Sequence, residues 1–123
     1  MKIEKVKISE KFAGISDYWS PAVIGELNGQ EVRIAKVRGE FTWHSHKNED
    51  EFFMALEGRL LIDIPGGTIE LNPGEMVIIP RKTSHKPRTE NNETAKILLF
   101  EPKSTVNTGE TENEFTKRDL PRL

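Results

Sequence analysis

The chain has 123 residues, enough for one domain of the usual ~100–150 residues and its single core, and too few for two. Its 18 lysines and arginines nearly cancel 20 aspartates and glutamates, leaving a formal net charge of -2 that offers no basic surface to a nucleic acid. No cysteine is present, which removes disulfides and thiolate metal sites, and no apolar run approaches the ~20 residues of a membrane span, so a cytoplasmic protein without a membrane segment is expected.

In chain order, residues 2–8 alternate only loosely, and Ser9 is placed to cap a short helix over 10–15. Val23 to Leu27 reads as a strand, Asn28-Gly29 as a tight hairpin turn, and Gln30 to Arg38 as the return strand. Gly39 breaks the run. Phe41 to His46 resumes as a strand, because Phe, Thr and Trp favour a pleated surface. The polar loop 47–50 leads into a strand from Glu51 to Leu56, ending before Gly58. Arg59 to Ile64 puts Leu60, Ile62 and Ile64 on one face, and Pro65-Gly66-Gly67 turns it back into Thr68 to Leu71. After the turn Asn72-Pro73-Gly74, the apolar run Glu75 to Ile79 is expected to be buried on both faces, and Ala95 to Phe100 is the last clear strand. Short strands bounded by Gly, Pro and Asn are the pattern of an all-β sandwich or barrel. From 103 to 123 the composition shifts to Thr, Asn, Glu and Lys, which predicts an irregular tail pinned at Val106, Phe115 and Leu120.

All three histidines lie in one framework, His44-Ser45-His46, then Glu51, then His85. Residues at i and i+2 project from the same face of an extended segment, so His44 and His46 can reach one ion together. The simplest reading is a single metal site of three imidazoles and a carboxylate, with Asp50 or Glu49 replacing Glu51 if the register slips. Phe53 and Ala55 share the ligand face, as pocket wall or as core, while Phe52, Met54 and Leu56 point the other way.

Gly39, His44, His46, Glu51 and Gly58, followed by Gly74, Pro80 and His85, resemble the two motifs of the cupin superfamily, and the resemblance spans about 23–101. It departs from the usual pattern in three places. The interval from Gly39 to His44 is one residue short, Lys82 stands where glycine is often found, and Thr89 where asparagine is often found. The resemblance implies a double-stranded β-helix, the small jelly-roll barrel, formed by a single domain over 1–123 with a short N-terminal segment. It implies one divalent transition metal, Zn, Mn, Fe, Ni or Co, held by His44, His46, Glu51 and His85, with one or two positions left for water or substrate. A homodimer is implied as well, and the open edges of a two-sheet sandwich favour it.

The function that follows is metal-dependent chemistry on a small oxygenated molecule, such as a sugar, sugar phosphate, keto acid or carboxylate, of the Lewis-acid isomerase or lyase kind. Two alternatives are carried beside it: an Fe(II)-dependent dioxygenase, and a non-enzymatic module that holds a metal and a small ligand. Arg81, Lys82, Lys86 and Arg88 bracket His85 and could bind an anionic substrate group, while Trp43 and Tyr18 are read as packing residues. Glu51, Glu57 and Asp50 are the acidic candidates for a proton-transfer group, with no one of them singled out.

Overall fold

The computed structural model describes residues 2–123, and they form two antiparallel sheets facing one another. A single helical turn, α1 (Ile8–Lys11), continues into a 3-10 turn over Phe12–Gly14. The strands are β1 (Ala22–Leu27), β2 (Gln30–Arg38), β3 (Glu51–Glu57), β4 (Leu60–Ile64), β5 (Gly67–Leu71), β6 (Met76–Ile79), β7 (Lys86–Arg88) and β8 (Thr94–Pro102). A five-stranded sheet runs β1-β2-β8-β3-β6 and a three-stranded sheet β5-β4-β7, the jelly-roll arrangement expected from the motif pattern.

The first hairpin follows its turn chemistry. Asn28 and Gly29 both take positive φ, 50° and 76°, the twist that a two-residue turn needs to join right-twisted strands. Between the sheets, Val37 and Phe53 of the large sheet pack with Leu60 and Ile62 of the small one and Ile97 and Leu99 of β8. Each of these is an inward position of a period-two strand. A second cluster lies outside the large sheet, where Phe12 and Ile15 of the N-terminal segment cover Ala22 and Ile34.

Several expectations are corrected. Ser9 lies inside α1, and the cap position is Lys7, which makes no side-chain cap bond. Residues 41–46 are extended but do not form a ladder strand; their isolated bridge joins His44 to His85, next to that of Glu40 with Arg88. Pro87 accounts for the interruption, since it accepts from Phe41 N–H at 2.9 Å but has no N–H to return. The same proline concealed β7, over which the sequence predicts no strand. β6 is not buried on both faces: it is an edge strand, with Met76 45% and Ile78 56% exposed. The tail is irregular as expected, yet Thr105 and Thr108 are buried, and Leu123 N–H bonds back to the Val23 carbonyl at 3.0 Å.

Candidate metal centre

The extended segment around His44 and the start of β7 exchange two backbone bonds, His44 N–H to the His85 carbonyl at 3.0 Å and His85 N–H to the His44 carbonyl at 2.9 Å. The two rings therefore stand side by side, centroids 4.2 Å apart. Period-two alternation turns His46 to the same side, and Glu51 enters from the first position of β3. One donor atom from each of His44, His46, Glu51 and His85 lies within 4.8 Å of every other, and all four residues are buried. Glu51 Oε1 is 2.9 Å from His85 Nε2, 3.0 Å from His46 Nε2 and 3.9 Å from His44 Nε2.

The backbone sets the tautomers of two rings. Nδ1 of His44 is 2.9 Å from the Thr42 carbonyl, and Nδ1 of His85 is 2.9 Å from the Thr83 carbonyl. A carbonyl only accepts, so each Nδ1 carries a proton and donates it, and the Nε2 atoms face the cluster. His44 Nε2 is buried without a hydrogen-bond partner, and His85 Nε2 faces a carboxylate oxygen. A cation placed among them satisfies both, and an all nitrogen and oxygen set suits a divalent transition metal.

Electrostatics agree with that donor set at His44 and Glu51, while at His46 they favour a proton that an ion would have to displace. Burial pushes His44 down to about 4 despite the Glu51 charge, so its imidazole is neutral at pH 7. For Glu51, burial favours the neutral acid, but the His46 and His85 rings that face it outweigh burial and hold the carboxyl well below the usual range. Burial also opposes charge on His46, yet its hydrogen bond to Glu51 and the Glu51 charge prevail and raise it.

A cavity of about 40 Å³ adjoins the cluster, room for a few water-sized occupants. His44 and Glu51 are part of its polar lining, and Val37, Phe41, Phe53 and Leu99 contribute apolar wall. Phe53 is thus both core and pocket wall.

Other predicted site residues lie elsewhere. Asp50 is exposed and accepts from Arg81 N–H at 2.9 Å, while Glu49 sits behind His46, 4.0 Å from its Nδ1, so neither replaces Glu51. The basic residues around His85 do not converge on the site: Arg81 engages Asp50, Lys86 engages Glu40, Arg88 engages Asp63, and Lys82 is exposed. Glu57 pairs with Lys96 on the surface. Trp43 and Tyr18 are exposed rather than packed, at 45% and 38%. The motif departures are accommodated. Lys82 takes φ 68°, the conformation glycine adopts readily, and its N–H bonds the His46 carbonyl at 2.7 Å. The Thr89 hydroxyl accepts from Gly39 N–H at 2.8 Å.

Two features escaped the sequence reading. Glu101 lines the cavity, held by Arg33 Nη1 at 3.0 Å, and the same guanidinium bonds Glu31 from Nε and Nη2 at 3.1 and 2.9 Å. Burial, with the Glu51 charge beside it, raises the Glu101 carboxyl well above the usual range while Arg33 pulls it down. The signal was present, since Glu101 continues the inward phase of Ala95, Ile97 and Leu99. The second feature is where the tail docks, since the sequence predicts pinning at Phe115 but not its place beside the histidine segment. Glu110 N–H bonds the Ser45 carbonyl at 2.9 Å, Phe115 packs on Phe41 at 5.1 Å, and Asn107 reaches the cavity lining.

Residues 30–101 match the cupin domain family. The chain belongs to that family. Among its relatives, the uncharacterized protein YdbB of Bacillus subtilis is 38% identical over 84 residues, 68% of this chain and 68% of the relative. Quercetin 2,3-dioxygenase of the same organism is 32% identical over 59 residues, 48% of this chain but 18% of that enzyme. Among solved structures, a cupin-2 domain protein from Shewanella frigidimarina is 40% identical with a TM-score of 0.76, covering 79% of this chain and 93% of that one. The buried histidine and glutamate cluster of this cupin suits a metal ion, and among the described residues no helix is long and apolar enough to cross a membrane.

Proposed function

We propose that this cupin is a metal-dependent enzyme that acts on a small oxygenated molecule held beside His44, His46, Glu51 and His85. The observation that carries this reading is the buried, unpartnered Nε2 of His44 at the edge of a cavity that also exposes Glu101. A closed structural site would leave no such opening. When bound, a divalent ion supplies Lewis-acid polarisation of substrate oxygens. The remaining work falls to the chain. The Thr42 and Thr83 carbonyls orient the His44 and His85 rings, and the apolar wall excludes water. Glu101, fixed by Arg33, is the carboxyl placed to give or take a proton, whereas Glu57 and Asp50 lie on the surface with their own partners.

Elemental analysis of the purified protein, with His85→Ala and Glu51→Ala alongside, tests the reading. Stoichiometric transition metal in the wild type, lost in both variants with the β-sheet circular dichroism retained, is the expected result. Metal retained in both variants refutes the assignment. The dioxygenase alternative draws on the small apolar cavity, which suits dioxygen, and on the named activity of the quercetin 2,3-dioxygenase relative. Iron as the native ion together with substrate-dependent oxygen uptake selects it. A ligand that stabilises the metal-loaded protein without being converted selects the binding module.

We also propose a homodimer formed through the outer face of the large sheet. Phe52 pairs across the strands with Phe100 and Ile78, and Met54 with Leu98 and Met76, giving two adjacent apolar rows. The N-terminal cluster covers Ile34 further along the sheet, while Met76 and Ile78 stay exposed on the edge strand. A contiguous apolar patch of this kind marks an interaction surface.

A further inference from the structure

We infer that a second cavity, walled by β1, β2 and the tail, binds a small phosphorylated molecule at a site of its own. It shares no lining residue with the cavity at the metal centre. Its volume is about 470 Å³, within the range of pockets that enclose a small organic ligand. Apart from Val23, Glu31 and Arg33, the lining comes from the tail beyond residue 102, outside the family match over 30–101. The shared barrel therefore does not account for this cavity.

Charge names the ligand class. Arg33, Lys103, Lys117, Arg118 and Arg122 line the cavity against two acids, Glu31 and Asp119, in a chain whose net charge is -2. Arg33 is buried and serves the protein itself, with its donors taken by Glu31, Glu101 and the carbonyls of Thr105 and Lys103. It bonds one oxygen of Glu31 at 3.1 Å while Arg122 bonds the other at 2.7 Å, so the Glu31 charge is compensated before any ligand arrives.

The other four cations stand at the rim. Lys117 forms no ion pair among the described residues, and the side chains of Lys103, Arg118 and Arg122 are 58%, 59% and 54% exposed. Lys103 and Arg122 share Glu26, Arg118 pairs with Glu112, and neither acid lines the cavity. Exposed pairs of this kind contribute little, so an anion that enters can replace them. A monocarboxylate would exchange for Glu26 one charge for one. A phosphate monoester brings close to two charges and three acceptor oxygens, which ammonium and guanidinium groups on several sides can share. Val23, Val106 and Leu120 supply apolar wall for the carbon body.

The test is calorimetric titration of the full chain with ribose 5-phosphate, ribose and succinate at low salt. It is repeated on the double variant Lys117→Ala, Arg118→Ala and on Arg81→Ala, which removes a cation outside this cavity. Lys117 and Arg118 are exposed, so the double variant should keep the wild-type circular dichroism and metal content. We expect ribose 5-phosphate to bind at least ~10-fold more tightly than ribose or succinate. The double variant should lose ~10-fold or more of that affinity and Arg81→Ala none, since a bond to a charged group is worth about that factor. Ribose or succinate binding as tightly, no binding of ribose 5-phosphate, an unchanged affinity in the double variant, or an equal loss in Arg81→Ala overturns the assignment. Each of these outcomes leaves the metal centre standing, because its occupancy is read from metal content.

Discussion

Gly109→Ala tests whether the C-terminal tail is part of the metal centre or only lies against it. Gly109 has φ +55°, and an added Cβ would stand 2.1 Å from the Ser45 carbonyl oxygen, 2.8 Å from its carbon and 3.2 Å from His46 Nδ1. The first two are backbone atoms, so relief requires the tail or the histidine segment to move by about 1 Å to reach ordinary contact. The same Ser45 carbonyl accepts from Glu110 N–H at 2.9 Å, and that bond is lost in the movement. Left-handed backbone costs alanine about 1–2 kcal/mol and the hydrogen bond about 1 kcal/mol, so roughly 2–3 kcal/mol is at stake. For a chain of this length that is a fall in Tm of roughly 6–15 °C. Gly66→Ala is the control, because Gly66 has φ +86° with nothing within 4 Å of its added Cβ and carries the backbone cost alone. The second assay is the rate at which a colorimetric chelator strips the metal. Displacement of the backbone that carries His46 should weaken metal retention ~10–100-fold, as loss of a supporting contact does elsewhere. If Gly109→Ala melts no lower than Gly66→Ala and releases metal at the wild-type rate, the tail does not support the site.

Glu101→Gln keeps the shape of the side chain and should retain the metal while lowering turnover by ~10²-fold or more, measured as kcat on the substrate that ligand-induced stabilisation of the metal-loaded protein identifies. Unchanged kcat would remove Glu101 from proton transfer. Ile78→Lys places a charge on the exposed edge of the apolar sheet face and should shift light scattering from dimer to a 14.0 kDa monomer. An unaltered dimer would put the interface elsewhere. Arg88 donates to Asp63 at 2.8 Å and holds its carboxyl below the ordinary 3.8. The pair's stabilisation is therefore present above pH ~3.8 and lost as the pH falls through the lower native value. Asp63→Asn should cost about 0.5–1 kcal/mol in urea melts at pH 7 and nothing near pH 2, and an equal cost at both would show that the effect is not electrostatic.

Several elements of the fold were legible because their causes are local. The β1–β2 hairpin follows from Asn28-Gly29 and its flanking residues, and its return strand has the expected bounds of Gln30–Arg38. His44, His46, Glu51 and His85 could be grouped from i, i+2 geometry and motif spacing, and the fold brings those four together in a buried cluster. What stayed hidden depended on partners distant in the chain. β6 reads as a buried strand by composition, but its place at the sheet edge, decided by pairing with β3 alone, leaves Met76 and Ile78 in solvent. β7 exists because Lys86 to Arg88 lie against β4, a non-local pairing that outweighs the turn propensity of Pro87. The basic residues around His85 look like an anion site until Asp50, Glu40 and Asp63 arrive from elsewhere to neutralise them. Residues 103–123 have few apolar side chains, and beyond Phe115 on Phe41 they are held by backbone bonds to Ser45 and Val23 and by polar side-chain bonds such as Asn113 to Thr42 and Arg122 to Glu31, which hydrophobic pattern does not encode. Periodicity and turn chemistry are properties of neighbouring residues, so the sequence by itself determined most of the strands and pointed to the four-residue cluster. Burial, charge compensation and the closing of the cavity are properties of residues far apart in the chain, and only the tertiary structure decided them.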